Sequence, residues 1–151
     1  MTTSIALASD HAGFALKAEL VRELQAAGHQ VLDLGPHDEA SVDYPDFGFA
    51  LGEAIASGKA ARGIAVCGSG IGISIAVNRN PAVRCALVTS GLMARLAREH
   101  NDANCIALGS RIIGIETARD CVTQFLATDF AGGRHAGRVA KLGQTSKEPA
   151  L

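Results

Sequence analysis

At 151 residues, with 48% hydrophobic residues and 14 basic against 15 acidic side chains, the chain can build a sizeable core and carries almost no net charge. A chain of this length buries about 70% of the surface its unfolded form exposes. A formal charge of −1 gives no electrostatic case for binding nucleic acid or an anionic membrane surface. The N-terminal MTTSIALASDHAG has no basic stretch before its short apolar run, and no segment approaches the roughly 18 uninterrupted apolar residues of a membrane span. A cytoplasmic protein without a membrane segment is expected.

Short β-rich runs alternate with longer helical patterns. Ser4 to Ser9 reads as a first strand, and the helix that follows, Phe14 to Ala27, carries Leu16, Leu20, Leu24 and Ala27 on one face, with Gly28 as its stop. Gln30 to Leu34 reads as a second strand. A loop through Gly35-Pro36 and Tyr44-Pro45 leads to a helix near Asp46 to Ser57. Gly63 to Cys67 and Ile71 to Val77 form a third pair, Arg84 to Thr89 and Gly91 to His100 a fourth, Asn104 to Leu108 and Ile115 to Thr128 a fifth. Five βα repeats with short connections predict an α/β fold: a Rossmann-like three-layer αβα sandwich around a five-stranded parallel sheet. Right-handed crossovers put every strand's carboxyl end on one edge, where such sheets bind ligands. One domain is expected over 1–142, with 143–151 a polar tail expected to fray.

The stretch GIAVCGSGIGISIAVN, residues 63 to 78, stands out. An apolar strand ends at Cys67, Gly68, Gly70 and Gly72 follow at alternate positions, and a helix begins. Such a turn leaves backbone N–H groups free at a helix N-terminus, where anions and thiolates are favoured. Three familiar sites fail on named residues. A dinucleotide fingerprint requires glycine at Ile73 and an acid about 20 positions on, where the chain reads Arg84-Cys85-Ala86-Leu87-Val88. A P-loop requires a lysine, and none lies between Lys59 and Lys141; a cysteine-phosphatase loop requires an arginine at Ile73. A tight turn around an inert buried cysteine remains the ordinary alternative.

The other cysteines, Cys85, Cys105 and Cys121, lie inside apolar runs and read as small core residues; with Cys67 they form no C-x-x-C pair. The histidines, His11, His29, His37, His100 and His135, are scattered, so neither a zinc site nor a disulfide framework is suggested. Asp10-His11 follows the first strand, where an aspartate commonly caps a helix. His100-Asn101-Asp102 closes the fourth helix, where histidine suits the dipole and asparagine suits the C′ position. Arg134 and Arg138 are four residues apart, so one helical face can carry both, either as a solvated basic surface or as two forks for a phosphate dianion. Asp43-Tyr44-Pro45 holds the only tyrosine, for packing or for a ligand.

SDHAG (9–13), DYPDF (43–47), VCGSGIGISIAVN (66–78), REHNDANCIALGSR (98–111) and GGRHAGR (132–138), in that order, resemble the type B ribose-5-phosphate isomerases, within the family that includes the galactose-6-phosphate enzymes. The resemblance runs over roughly residues 4 to 142 and implies interconversion of ribose 5-phosphate and ribulose 5-phosphate, a step of the pentose phosphate pathway, with no metal or organic cofactor. It implies that Cys67 is the base moving a proton between C1 and C2 through an enediolate. His100, assisted by Asp10, would open the furanose ring. Gly68, Ser69, Gly70, Ile71 and Gly72 would line the turn, the last four offering backbone N–H groups to the enediolate, with Ser69 among the catalytic residues. Asn101 and Tyr44, with Asp43 nearby, would meet the sugar hydroxyls, and His11, Arg111, Arg134 and Arg138 the phosphate. The family builds its site across a homodimer, or a dimer of dimers, so a second subunit is expected to contribute some of these groups. Two departures stand out. Ser69 replaces a common threonine, keeping the hydroxyl. Members that lack the cysteine use a glutamate a few residues on, and here Ile71 and Ile73 leave Cys67 alone. A tetrose or hexose phosphate substrate, or a non-catalytic sugar-phosphate-binding module, remains open; the module would not require both Cys67 and His100.

Overall fold

Small and large apolar residues alternate along the central strands, and this alternation sorts the helices between the two faces of the sheet. The computed structural model describes residues 3–144. In chain order these form β1 (Ser4–Ser9), α1 (Phe14–Ala26), β2 (Gln30–Asp33), α2 (Tyr44–Ala56), β3 (Arg62–Cys67), α3 (Ile71–Val77), β4 (Cys85–Leu87), α4 (Gly91–Asn101), β5 (Cys105–Gly109), α5 (Ile115–Ala127) and α6 (Arg134–Leu142). All strand pairs are parallel, in the order β2-β1-β3-β5-β4. Side chains alternate across a strand, so Ile5, Leu7, Ile64, Val66, Ile106 and Leu108 share one face, where Leu20 and Leu24 of α1, Ala94 of α4 and Phe125 of α5 cover them. Ala6, Ala8, Ala65, Cys67 and Ala107 share the other, under Leu51 of α2 and Ile73 and Val77 of α3. The architecture is the Rossmann-like αβα sandwich expected from the βα alternation.

The small face allows a close approach. A Cβ at Gly63 would stand 2.7 Å from Ile55 Cδ1, and one at Gly48 would stand 2.6 Å from Ala76 Cβ, so α2 presses directly on the sheet and on α3. Two boundaries depart from the sequence pattern. The fourth strand, expected over 84–89, pairs only over Cys85–Leu87, because it is an edge strand and Asn104 Oδ1 takes the Arg84 N–H at 2.8 Å. The second helix starts at Tyr44 rather than near Asp46, since proline suits a helix's first turn. Of the tail expected to fray, residues 145–151 lie outside the described residues.

Of the buried charged residues, one is sealed completely. Lys17 of α1 has no exposed surface. Its Nζ lies 2.6 Å from Asp33 Oδ1, donates to the Pro36 carbonyl at 2.9 Å and sits 5.5 Å from the Phe14 ring centroid. Asp33 Oδ1 also accepts from Gly35 N at 3.0 Å. The ammonium thus pins the exit of β2 at the start of the connection that leads to Tyr44. Breaking a buried pair strands its partner. We expect Lys17→Met to lower stability by about 3 kcal/mol, the lower end for such a break because Asp33 keeps some water. Urea unfolding measures the loss, and adding Asp33→Asn should return part of it.

Candidate active site

The strand order decides where a ligand can bind. From β1 the chain moves to β2 on one side, and from β3 it moves past β5 to β4 on the other. Between the neighbouring ends of β1 and β3 the connections diverge and open a crevice, the switch point at which open α/β sheets bind ligands. Backbone bonds lock the surrounding exits together. Asp10 N donates to the Val66 carbonyl at 3.1 Å, Ser110 N to that of Cys67 at 2.9 Å, and Arg111 N to that of Gly68 at 2.9 Å. A Cβ at Gly13 would stand 2.5 Å from Val66 O, and one at Gly109 2.5 Å from Ser69 O. The three exits therefore meet backbone to backbone.

Cys67 lies at the floor of this crevice, 4% exposed, and its Sγ accepts the Gly70 N–H at 3.1 Å. Gly70 closes the turn at φ +77°, where a Cβ would also lie 2.9 Å from the Leu108 carbonyl carbon. No other residue fits there. Ser69 Oγ accepts from Ile71 N at 3.1 Å. Of the four amides expected to face an oxyanion, those of Gly70 and Ile71 are therefore already engaged within the turn. The cleft above the thiol measures about 300 Å³, and its lining includes Asp10, Tyr44, Ser69, Arg111 and Ile112.

Each neighbour is held by a local device. Asp10 accepts the Gly13 N–H on Oδ1 at 3.0 Å, tying down the turn ahead of α1; the helix cap itself is Gly13, not Asp10. His11 Nδ1 takes the Val42 N–H at 3.2 Å and so ties the β1 exit to the segment that delivers Asp43 and Tyr44. Asp43 occupies the N-cap position of α2 without a side-chain cap bond. The Tyr44 ring lies over Gly72, where a Cβ would come 2.6 Å from Cζ. Arg111 stretches across Gly68, its Nη1 3.1 Å from where a Cβ would stand.

The remaining expected residues lie elsewhere. α4 leaves the carboxyl edge at Gly91 and runs back, so its eleven residues, about 16 Å of helix, carry His100 and Asn101 to the opposite edge. There His100, Asn101 and Arg138 share a separate cleft of about 340 Å³ with His135, Val139 and Leu142. Arg134 begins α6 and lies outside that lining. Within one chain, then, Asp10, His11, Tyr44, Cys67, Ser69 and Arg111 gather at one edge, and His100, Asn101 and Arg138 at the other. Asp102, not Asn101, is the left-handed residue after α4, at φ 45°. The carboxylate of Asp102 is gripped by Arg98 and Arg84.

Sequence reasoning gave no role to His135 or Ile112. The His135 ring stacks on His100, centroids 4.5 Å apart and 14° from parallel. Desolvation, then the charges of His100, Arg134 and Arg138, push His135 below the usual histidine value. Its place inside GGRHAGR, between the two arginines, was the available signal.

Tyr44 is the sole tyrosine and the chain has no tryptophan, so intrinsic fluorescence reports on this one ring. Gly72→Ala should displace the ring and shift that emission. The change should cost little stability, because alanine is favoured over glycine inside a helix by about 1 kcal/mol. Emission spectra and thermal melts of the variant measure both.

The sequence profile described as Ribose/Galactose Isomerase matches residues 5–142. Ribose-5-phosphate isomerase B of Escherichia coli (strain K12) is 41% identical over 135 residues, 89% of this chain and 91% of that protein. The solved structure of Clostridium thermocellum Ribose-5-Phosphate Isomerase B superposes with a TM-score of 0.91 at 51% identity, covering 93% of this chain and 95% of that one. The Mycoplasma genitalium Ribose-5-phosphate Isomerase B structure, with bound ribulose-5-phosphate, superposes at 0.88 with 38% identity, covering 94% and 95%. On this agreement of profile, sequence and fold, the chain belongs to the ribose/galactose isomerase family.

Proposed function

We propose that this protein is an aldose–ketose isomerase that interconverts ribose 5-phosphate and ribulose 5-phosphate through an enediolate, as a cytoplasmic homodimer serving the pentose phosphate pathway. The observation that carries the reading is Cys67 at the switch-point crevice, its Sγ already bonded to a backbone N–H of the glycine turn. The C–H next to a sugar carbonyl is weakly acidic, so its removal needs a close base and preorganised donors for the oxyanion that develops. In this reading the Cys67 thiolate takes the proton from C2 of the open-chain aldose and returns it to C1, while the hydroxyl proton on O2 passes to O1. The C2 alcohol thereby becomes the ketone and the aldehyde becomes the alcohol. The amide that held Sγ and its neighbours in the turn then meet the enediolate oxygens, with Ser69 alongside. C2 is oxidised as C1 is reduced within one molecule and no carbon–carbon bond changes, so the step calls for no redox partner.

His100 and Asp10 are assigned to ring opening, yet they stand at opposite edges of the sheet. The proposal therefore requires two copies, one presenting Asp10, His11, Tyr44, Cys67 and Arg111, the other His100, Asn101, Arg134 and Arg138. Outward-facing apolar residues support such an interface. Ile71 and Ile75, one turn apart on α3, are 53% and 52% exposed, and Leu92 at the start of α4 is 55% exposed. Apolar surface of this kind, at the rim of the Cys67 turn, suits a second copy. Either cluster alone would leave the phosphate with only part of its cationic grip. A substrate of four or six carbons is the second reading, and a coupled assay comparing kcat/KM across aldose phosphates of four, five and six carbons separates the two.

Two experiments test the assignments. Cys67→Ala should lose about 10²–10⁴-fold in kcat, the usual contribution of a positioned acid or base, and His100→Asn should be impaired on cyclic ribose 5-phosphate. A doubly tagged dimer of one Cys67→Ala copy and one His100→Asn copy keeps one site with both groups intact, so it should regain much of the lost turnover. A mixed dimer no better than its parents would remove the shared site. Arg134→Ala or Arg138→Ala should each cost about 1.5–3 kcal/mol of phosphate binding, the scale for hydrogen bonds to a charged group. The double variant should lose less than the sum, since both forks grip one dianion. KM and inhibition by inorganic phosphate measure the effect.

A further inference from the structure

Nothing in the core of this chain holds α6, although α6 carries Arg134, His135 and Arg138. None of its residues is buried. Besides the stacking of His135 on His100, it is held over the end of α4 through the short connector from α5, residues 128–133, which ends in Gly132 and Gly133.

Arg98 of α4 reaches that connector. It is 3% exposed, and its guanidinium joins the chain just after α4 to the exit of α5. Nε donates to the Thr128 carbonyl at 3.1 Å, and Nη1 donates to Asp102 Oδ1 at 2.8 Å and to the Ala103 carbonyl at 2.7 Å. Asp102 is the only non-glycine residue at positive φ among the described residues, and Arg84 also holds it, Nε on its carbonyl at 2.9 Å and Nη2 on its carboxylate at 3.3 Å. One residue along α4, the Glu99 carbonyl accepts from Ala131 N at 3.1 Å. The end of α4, the turn into β5 and the exit of α5 are thus bound to one buried cation. His100 follows two residues after Arg98, and His135 follows four residues after Ala131.

We infer that Arg98 is a positioning residue: by clamping the α5 exit to the end of α4 it sets α6, and so places His135 and Arg138 beside His100. The inference rests on the isomerase reading only for its effect on turnover; the placement itself is independent of it. A planar fork is required, because three acceptors in three directions cannot be met by the compact, strongly hydrated ammonium of lysine in the same way.

The test uses the full-length protein labelled with ¹³C-histidine, as wild type, Arg98→Lys and Arg98→Met, with a fourth variant that keeps Arg98 but carries two extra glycines after Asp129. In wild type, the stacked rings of His100 and His135 should give an inter-ring nuclear Overhauser contact. All three variants should lose that contact and should lose tenfold or more in kcat/KM for ribose 5-phosphate, expressed mainly in KM through Arg138. The backbone amide resonances of β1 and β3, the core strands that carry the opposite edge, should stay at their wild-type positions. A merely structural role would instead disturb both edges together and spare the insertion variant. If the arginine variants do not fold, the insertion variant decides, because its change lies in an exposed connector. Retention of the histidine contact and of wild-type kcat/KM in any folded variant overturns the inference, as does a parallel displacement of the β1 and β3 resonances. A wild type inactive on every aldose phosphate would end the isomerase reading, while the histidine contact would still decide the role of Arg98.

Discussion

Three strand ends packed backbone against backbone are the constraint on which the rest of this molecule depends. Val66 accepts from Asp10, Cys67 from Ser110 and Gly68 from Arg111, with glycines at 13 and 109 where any side chain would strike a carbonyl. Hydrogen bonds between main-chain groups at this separation leave little freedom, so the Cys67 turn inherits the rigidity of the sheet. A reacting thiol gains from such support, because a base displaced by an ångström loses much of its value. The strands that hold the turn are also the innermost three of the sheet, covered on both faces.

Two buried cations extend that rigid centre to its loops. Lys17 joins Asp33 and the Pro36 carbonyl and steadies the connection that ends at Tyr44. Arg98 joins Asp102 and the carbonyls of Ala103 and Thr128 and steadies the opposite edge. Each charge is removed from water and repaid by one carboxylate and one or more carbonyls, the condition under which burial of an ion is tolerated. Their geometry differs with the task. A lysine suffices where the acceptors lie on a single connection, whereas the guanidinium fork bridges stretches far apart in the chain.

The clusters at the two edges differ in how they are built. The Cys67 edge rests on core strands, and its polar groups are held by backbone bonds. The His100 edge ends in a helix none of whose residues is fully buried, and its rings are held by stacking and by the connector. A cluster of the second kind is well suited to meet another surface, since part of its packing is still open. The other cysteines take no part in either: Cys105 and Cys121 are fully buried, and burial, with Cys85 beside it, pushes the Cys105 thiol up.

Much of this was legible in the sequence because it is local. Period-two and period-3.6 patterns marked five strands and their helices, and the alternate glycines after Cys67 announced a tight turn, as hydrophobic periodicity and backbone sterics act over a few residues. The small-versus-large alternation in β1, β3 and β5 is likewise written in the chain. What the tertiary structure alone decided is the neighbourhood of each part. A right-handed crossover fixes a helix's face only once the direction of each strand move is known, and that direction depends on how all the layers pack. The order β2-β1-β3-β5-β4 brought Asp10 beside Cys67. The same packing laid Tyr44 over Gly72, enclosed Lys17 and Arg98, and gave Asp102 rather than Asn101 the left-handed turn. Apart from the Asp102 turn, each of these is a contact between residues distant in sequence, for which no local period carries a signal.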